Sequence, residues 1–136
     1  MSTTPKTCPL LFAVDDDLFF GDFIVRAARG VGYESYTISS GQALLDRLSE
    51  KPDVIVLDIS MPGLDGIEVI EALAKAQYSG RLILASGFLP ASIDAAASIA
   101  KGKGLNLVGA MIKPFRVVQL LELLASPVSG GTVTTG

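Results

Sequence analysis

A fivefold alternation of short apolar runs with helical patterns constrains this chain more than any other feature. Leu10–Val14 reads as a strand, and Asp17 is placed to cap a helix over Leu18–Arg29 that Gly30 and Gly32 stop. Residues 33–38 form a second, weaker strand, followed by a helix that Ser39 or Ser40 caps and that runs through Glu50. Residues 53–58 form a third apolar strand, and Asp65 with Glu68 makes a capping-box-like start for a helix to about Ala76. Arg81–Ser86 is the fourth strand, residues 91–103 the next helix, 107–112 the fifth strand and 116–125 the last helix. Strands that alternate with helices predict a parallel sheet covered on both faces. Right-handed crossovers and five strands give an α/β, doubly wound, flavodoxin-like single domain of strand order 2-1-3-4-5.

Such sheets place ligands at the carboxyl ends of the strands, near the switch in strand order. Asp15, Asp16, Asp58, Ser86 and Lys113 each end an apolar run, so all five are expected at that edge. Neighbours in Asp15-Asp16-Asp17 point in different directions; Asp15 and Asp16 are the better site candidates and Asp17 the better helix cap. Asp58 adds a third carboxylate, a strongly self-repelling set unless a divalent cation or Lys113 offsets it. Solvated loop acids with a helix cap are the bland alternative for the acids, a surface lysine for Lys113 and a small turn residue for Ser86.

Composition narrows the chemistry. The chain has no histidine, which removes His-containing zinc sites, Ser–His and Cys–His catalysis and histidine general bases. What remains is carboxylates, hydroxyls and lysine, and oxygen ligands favour a hard cation, magnesium first. Asp58 has the chemistry of a nucleophile that forms an acyl phosphate. Phosphoryl transfer asks a protein mainly for positioning and charge neutralisation. Net charge of −3 argues against direct nucleic-acid binding. At 49% hydrophobic the chain is apolar, yet no run approaches the ~20 residues of a membrane span, and no signal-peptide pattern opens it. One cysteine, Cys8, excludes an internal disulfide framework and fits a reducing, cytoplasmic compartment.

Val14-Asp15-Asp16, Asp58 with Met61-Pro62-Gly63-Leu64-Asp65-Gly66, Ser86 and Lys113-Pro114-Phe115 together resemble the receiver domains of two-component response regulators. The resemblance covers about residues 9–125, leaving 1–8 as an N-terminal extension and 126–136 as a flexible tail or linker. It implies Asp58 as phosphoacceptor, Asp16 and Asp58 as direct magnesium ligands, Asp15 acting largely through water, and a backbone carbonyl ligand from Ser60. It further implies Ser86 as the switch hydroxyl, Lys113 as the phosphate-binding lysine and a cis peptide between Lys113 and Pro114. A histidine kinase or phosphotransfer protein would supply the phosphoryl group, and a downstream effector domain or protein would read it. The chain would then be a phosphoacceptor with at most self-catalysed transfer and autodephosphorylation, not an enzyme.

Three departures matter. The family often has an aromatic residue three positions before the lysine; here it is Ala110, so an aromatic rotamer switch cannot operate there. Output then moves to Ser86, the Gly87-Phe88-Leu89 loop and the following helix, with Phe88 placed to shield an acyl phosphate from water. The interval from Ser86 to Lys113 is long, and residues 98–115 are similar to receivers joined to EAL-type cyclic-di-GMP phosphodiesterases, although no EAL domain is in this chain. In the last helix only Arg116, Gln119 and Glu122 are polar, an apolar sector of about 220° that points to docking or homodimerisation, or to deeper burial. A phosphorylation-independent interaction module is the alternative function. A magnesium-dependent phosphatase is a third, weakened because its usual second acid, two residues after the nucleophile, is Ser60.

Overall fold

A computed structural model describes residues 8–60, 66–87 and 90–125. The elements are β1 (Leu10–Val14), α1 (Leu18–Arg29), β2 (Glu34–Ile38), α2 (Gly41–Asp46), β3 (Val54–Asp58), α3 (Gly66–Lys75), β4 (Arg81–Ser86), α4 (Pro90–Gly102), β5 (Asn106–Ile112) and α5 (Val117–Ala125). All strand pairs are parallel and the order is β2-β1-β3-β4-β5, as the alternation predicts. The extension before Cys8, the tail after Ala125, the Asp65 capping box and Phe88 lie outside the described residues.

Strand parity divides the core. Phe12, Ile55, Leu57, Leu82 and Leu84 face one side, where α2, α3 and α4 contribute Leu44, Val69, Ile70, Leu73, Ile93 and Ala96. Leu11, Ala13, Val54, Val56, Ile83 and Ala85 face the other, where α1 and α5 contribute Ile24, Val25, Ala28, Leu120, Leu123 and Leu124. Every residue of β1 and β3 is buried, which explains why these strands read as continuous apolar runs. After β1 the chain steps one way to β2 and then back across to β3. Right-handed crossovers therefore put α1 on one face and α2 on the other, opening a crevice beyond the carboxyl ends of β1 and β3.

Local signals set the boundaries. Asp17 caps α1 by accepting from the Phe19 amide at 3.0 Å, and Ser40, rather than Ser39, caps α2 by accepting from the Ala43 amide at 3.1 Å. The expected helix through Glu50 stops early. Beyond Asp46 the chain tightens into a short 3₁₀ turn, Leu48–Glu50, with bonds from Arg47 to Leu44 and from Glu50 to Arg47. Lys51 then turns left-handed at φ +57° ahead of Pro52, which no α-helix can continue through. Arg47 covers this break, its guanidinium 4.8 Å over the Phe12 ring and paired with Glu50. The wide apolar sector of α5 is absorbed only in part. Leu120, Leu123 and Leu124 are buried and Leu121 half-buried, because α5 packs against both β5 and α1; Val117 and Val118 stay exposed, as does Ile112. No described helix is long and apolar enough to cross a membrane.

Gly66, the first residue of α3, packs directly on Ile59. A Cβ there would stand 2.7 Å from Ile59 Cβ and 2.9 Å from Ile59 Cα, inside van der Waals contact. Gly66→Ala is expected to cost roughly 1–3 kcal/mol, measured as a lower urea midpoint. An unchanged midpoint would show that the Ile59 backbone moves aside freely.

Candidate functional site

The parity that sorts the core also aims the site. Asp15 continues Leu11 and Ala13, Asp58 continues Val54 and Val56, and Lys113 continues Gly109 and Met111, so all three extend the face covered by α1 and α5. Asp58 pairs in register with Ala85, and Ser86, the next residue, pairs with Ile112. The Lys113 amide donates to the Ser86 carbonyl at 2.8 Å, which ties the ends of β4 and β5 together. The peptide between Lys113 and Pro114 is cis. Asp15, Asp58 and Ser86 are buried, whereas Asp16 is exposed.

Lys113 joins the two buried acids. Its Nζ lies 2.7 Å from Asp15 Oδ2 and 3.0 Å from Asp58 Oδ2, with its side chain only 10% exposed. The contact with Asp58 is a hydrogen bond; that with Asp15 is a charge contact that leaves Oδ2 without a well-aligned donor. Asp15 Oδ1 accepts from the Asp17 amide at 2.9 Å. Asp58 Oδ1 accepts from both the amide and the hydroxyl of Ser60, at 2.9 and 2.5 Å. Ser60 thus touches Asp58 through two donors that sequence reasoning missed, although Asp-x-Ser at a strand end is a turn signal in which a carboxylate accepts from the amide two residues on. Also missed was the ring of Phe20, in the first turn of α1, whose centroid is 4.5 Å from Lys113 Nζ.

The two carboxyls respond oppositely to one environment. Burial dominates at Asp15 and, with the charge of Asp58, lifts it from 3.8 to about 6 against the Lys113 ammonium and the bond from the Asp17 amide. Burial also pushes Asp58 up, but the Ser60 hydroxyl and amide and the Lys113 ammonium outweigh it and hold Asp58 below the ordinary carboxylate value. Burial favours the neutral amine of Lys113, yet its close contacts with the Asp15 and Asp58 carboxylates raise it overall. Asp58 is therefore kept ionised, as a nucleophile requires.

One oxygen from each of Asp15, Asp16 and Asp58 falls within 4.8 Å of the others. Three carboxylate oxygens gathered so closely fit a hard divalent cation. A groove of about 700 Å³ lies at the opposite end of the sheet, lined by Pro52, Asp53, Tyr78 and Arg81 among others. Its polar groups serve the fold: the Tyr78 hydroxyl donates to the Pro52 carbonyl at 3.0 Å, and Asp53 accepts from the Leu10 amide at 2.7 Å.

Residues 11–125 match the family model of the response regulator receiver domain. The chain is 33% identical over 84 residues to the DNA-binding transcriptional activator EvgA of Escherichia coli strain K12, covering 56% of this chain and 41% of that protein. It is 29% identical over 121 residues to the DNA-binding transcriptional regulator NtrC of Klebsiella pneumoniae, covering 88% of this chain and 25% of that protein. The chain thus spans well under half the length of these curated relatives. A crystal structure of a response regulator from Colwellia psychrerythraea is similar at 30% identity with a TM-score of 0.76, over 86% of this chain and 94% of that one. The narrower resemblance to EAL-joined receivers rests on the sequence alone.

The opposed carboxyls give a pH test. Asp15 ionises at 3.8 in the unfolded chain and at about 6 in the folded one. Its contribution to stability is complete below pH 3.8 and is lost as pH rises through about 6. In magnesium-free buffer Asp15→Asn should therefore stabilise the fold at pH 7 by on the order of 1–3 kcal/mol, with the gain vanishing near pH 4. Urea melts of both proteins at the two pH values measure this, and parallel pH dependences would refute it.

Proposed function

The chain belongs to the response regulator receiver domain family, and on that premise we propose that Asp58 accepts a phosphoryl group from the phosphohistidine of a partner kinase or phosphotransfer protein. The observation that carries this reading is the state of Asp58: ionised, buried at the end of β3, and gripped on both oxygens by donors that can be exchanged. An Asp58 oxygen attacks phosphorus, a P–O bond forms, the P–N bond to the donor imidazole breaks, and an acyl phosphate results. Magnesium, held by Asp15, Asp16, Asp58 and the Ser60 carbonyl, would supply positive charge to the phosphoryl oxygens when bound. Lys113 already contacts Asp58 Oδ2, so a short shift takes its ammonium from carboxylate to phosphoryl oxygen. Ser86 is the hydroxyl of the neighbouring strand and the proposed reporter of the new charge.

In this reading the chain is a phosphoacceptor that switches a downstream effector domain or protein. Ala110 sits half-buried on β5 against the α2–α4 side of the core, so the switch runs through Ser86 and the start of α4 instead of an aromatic rotamer. Val117 and Val118, exposed at the start of α5, and Ile112, exposed at the end of β5, are where the last helix would meet a second copy or an effector. Ala110 also favours a phosphorylation-independent interaction module, and one experiment separates the two. Acetyl phosphate with magnesium should add a single phosphoryl group, seen by intact mass. Asp58→Asn or chelation of magnesium should abolish it. An unmodified wild type, or an equal adduct on Asp58→Asn, would favour the module.

A further inference from the structure

We propose that Phe20 is a positioning residue for Lys113, its ring face holding the ammonium between Asp15 and Asp58. An ammonium has three N–H donors and a flexible four-carbon stem. Asp15 and Asp58 account for two close neighbours of Nζ, and the Phe20 ring is the third, 4.5 Å from the charge to the ring centre. The face of an aromatic ring carries partial negative charge, so it attracts the cation where water would otherwise solvate it. An aliphatic side chain of similar bulk fills the space without that attraction.

The ring is itself held in place. Asp17 caps α1 one turn below, which fixes the direction in which Phe20 leaves the helix. Phe115 packs against Phe20 at 6.2 Å between ring centres and against Phe23 at 5.6 Å; Phe20 and Phe23 are three residues apart on one helix face. Phe19 adds an edge-on contact at 5.7 Å. Phe115 lies two residues beyond Lys113, so the segment that carries the lysine also carries the support for the ring that steers it. Strand parity makes this possible, because Asp15, Asp58 and Lys113 all extend toward the layer that contains α1.

The consequence for phosphoryl transfer rests on the reading of Asp58 as acceptor. A lysine confined by the ring meets the incoming phosphoryl group in one place; without the ring it wanders along its stem. The test compares wild type with Phe20→Leu and Phe20→Tyr. In unphosphorylated, magnesium-free protein, the Lys113 ε-methylene protons should resonate upfield of those of the other lysines and show cross-relaxation to the Phe20 ring. Phe20→Leu should lose the upfield shift and slow phosphorylation by acetyl phosphate about threefold to tenfold, and Phe20→Tyr should restore both. Unshifted methylenes in the wild type, a measurement that needs no variant to fold, would overturn the role of Phe20. So would a wild-type rate in Phe20→Leu. A wild type that forms no adduct overturns the Asp58 reading alone, since the methylene shifts are read without phosphate.

Discussion

One ammonium between two buried carboxylates is the contact on which the rest of this site depends. β1 and β3 are adjacent and apolar throughout, and both end in acids that cannot face bulk water. Two like charges in such a place repel strongly and each is poorly solvated. Lys113, arriving from the far edge of the sheet at 2.7 and 3.0 Å, offsets part of that cost. The offset is unequal. Ser60 adds two donors to Asp58 and none to Asp15, so Asp58 stays ionised while Asp15 is lifted toward neutrality. A site that strains its own acids is poised to take up a cation, and the strain is what folding gives up for that chemistry.

The fold supplies the geometry through two simple periods. Alternation along each strand sends Asp15, Asp58 and Lys113 to one side. The switch in strand order between β1 and β3 clears the space above them. Between β4 and β5 the register shifts at Leu82 and Ile83, where Gly109 rather than Val108 pairs with Ile83. That extra residue sets the parity with which Gly109, Met111 and finally Lys113 approach the edge. Gly109 is also where Leu123 of α5 packs tightly, since a Cβ there would lie 2.5 Å from its methyl group. The lysine, the bulge and the last helix are therefore one packing unit.

The same unit lacks one large side chain. With Ala110 in place of an aromatic side chain, no large ring is available at that position of β5 to swing between core and surface. The aromatic mass lies instead on the other side of Lys113, in Phe19, Phe20, Phe23 and Phe115. Leu18 and Phe19 stand exposed at the start of α1, next to the acids.

The alternation of elements, the strand order and the shared edge of Asp15, Asp16, Asp58, Ser86 and Lys113 were legible in the sequence. Period-2 and period-3.6 patterns, caps at Asp17 and Ser40, and the handedness of crossovers determine them locally. The early end of α2 was not legible, because the tightening into a 3₁₀ turn is accompanied by Arg47 packing on Phe12, a residue remote in sequence. A helical wheel likewise does not show how the apolar face of α5 divides: β5 and α1 cover Leu120, Leu123 and Leu124, while Val117 and Val118 stay exposed. Nor does spacing reveal that Ser60 holds one oxygen of Asp58 and Lys113 the other, or that Phe20 faces the ammonium. Those are distances between side chains from different elements, and only the packed sheet and helices set them. The sequence alone determined which groups reach the edge; the tertiary structure decided which of them touch, and thereby which acid stays charged.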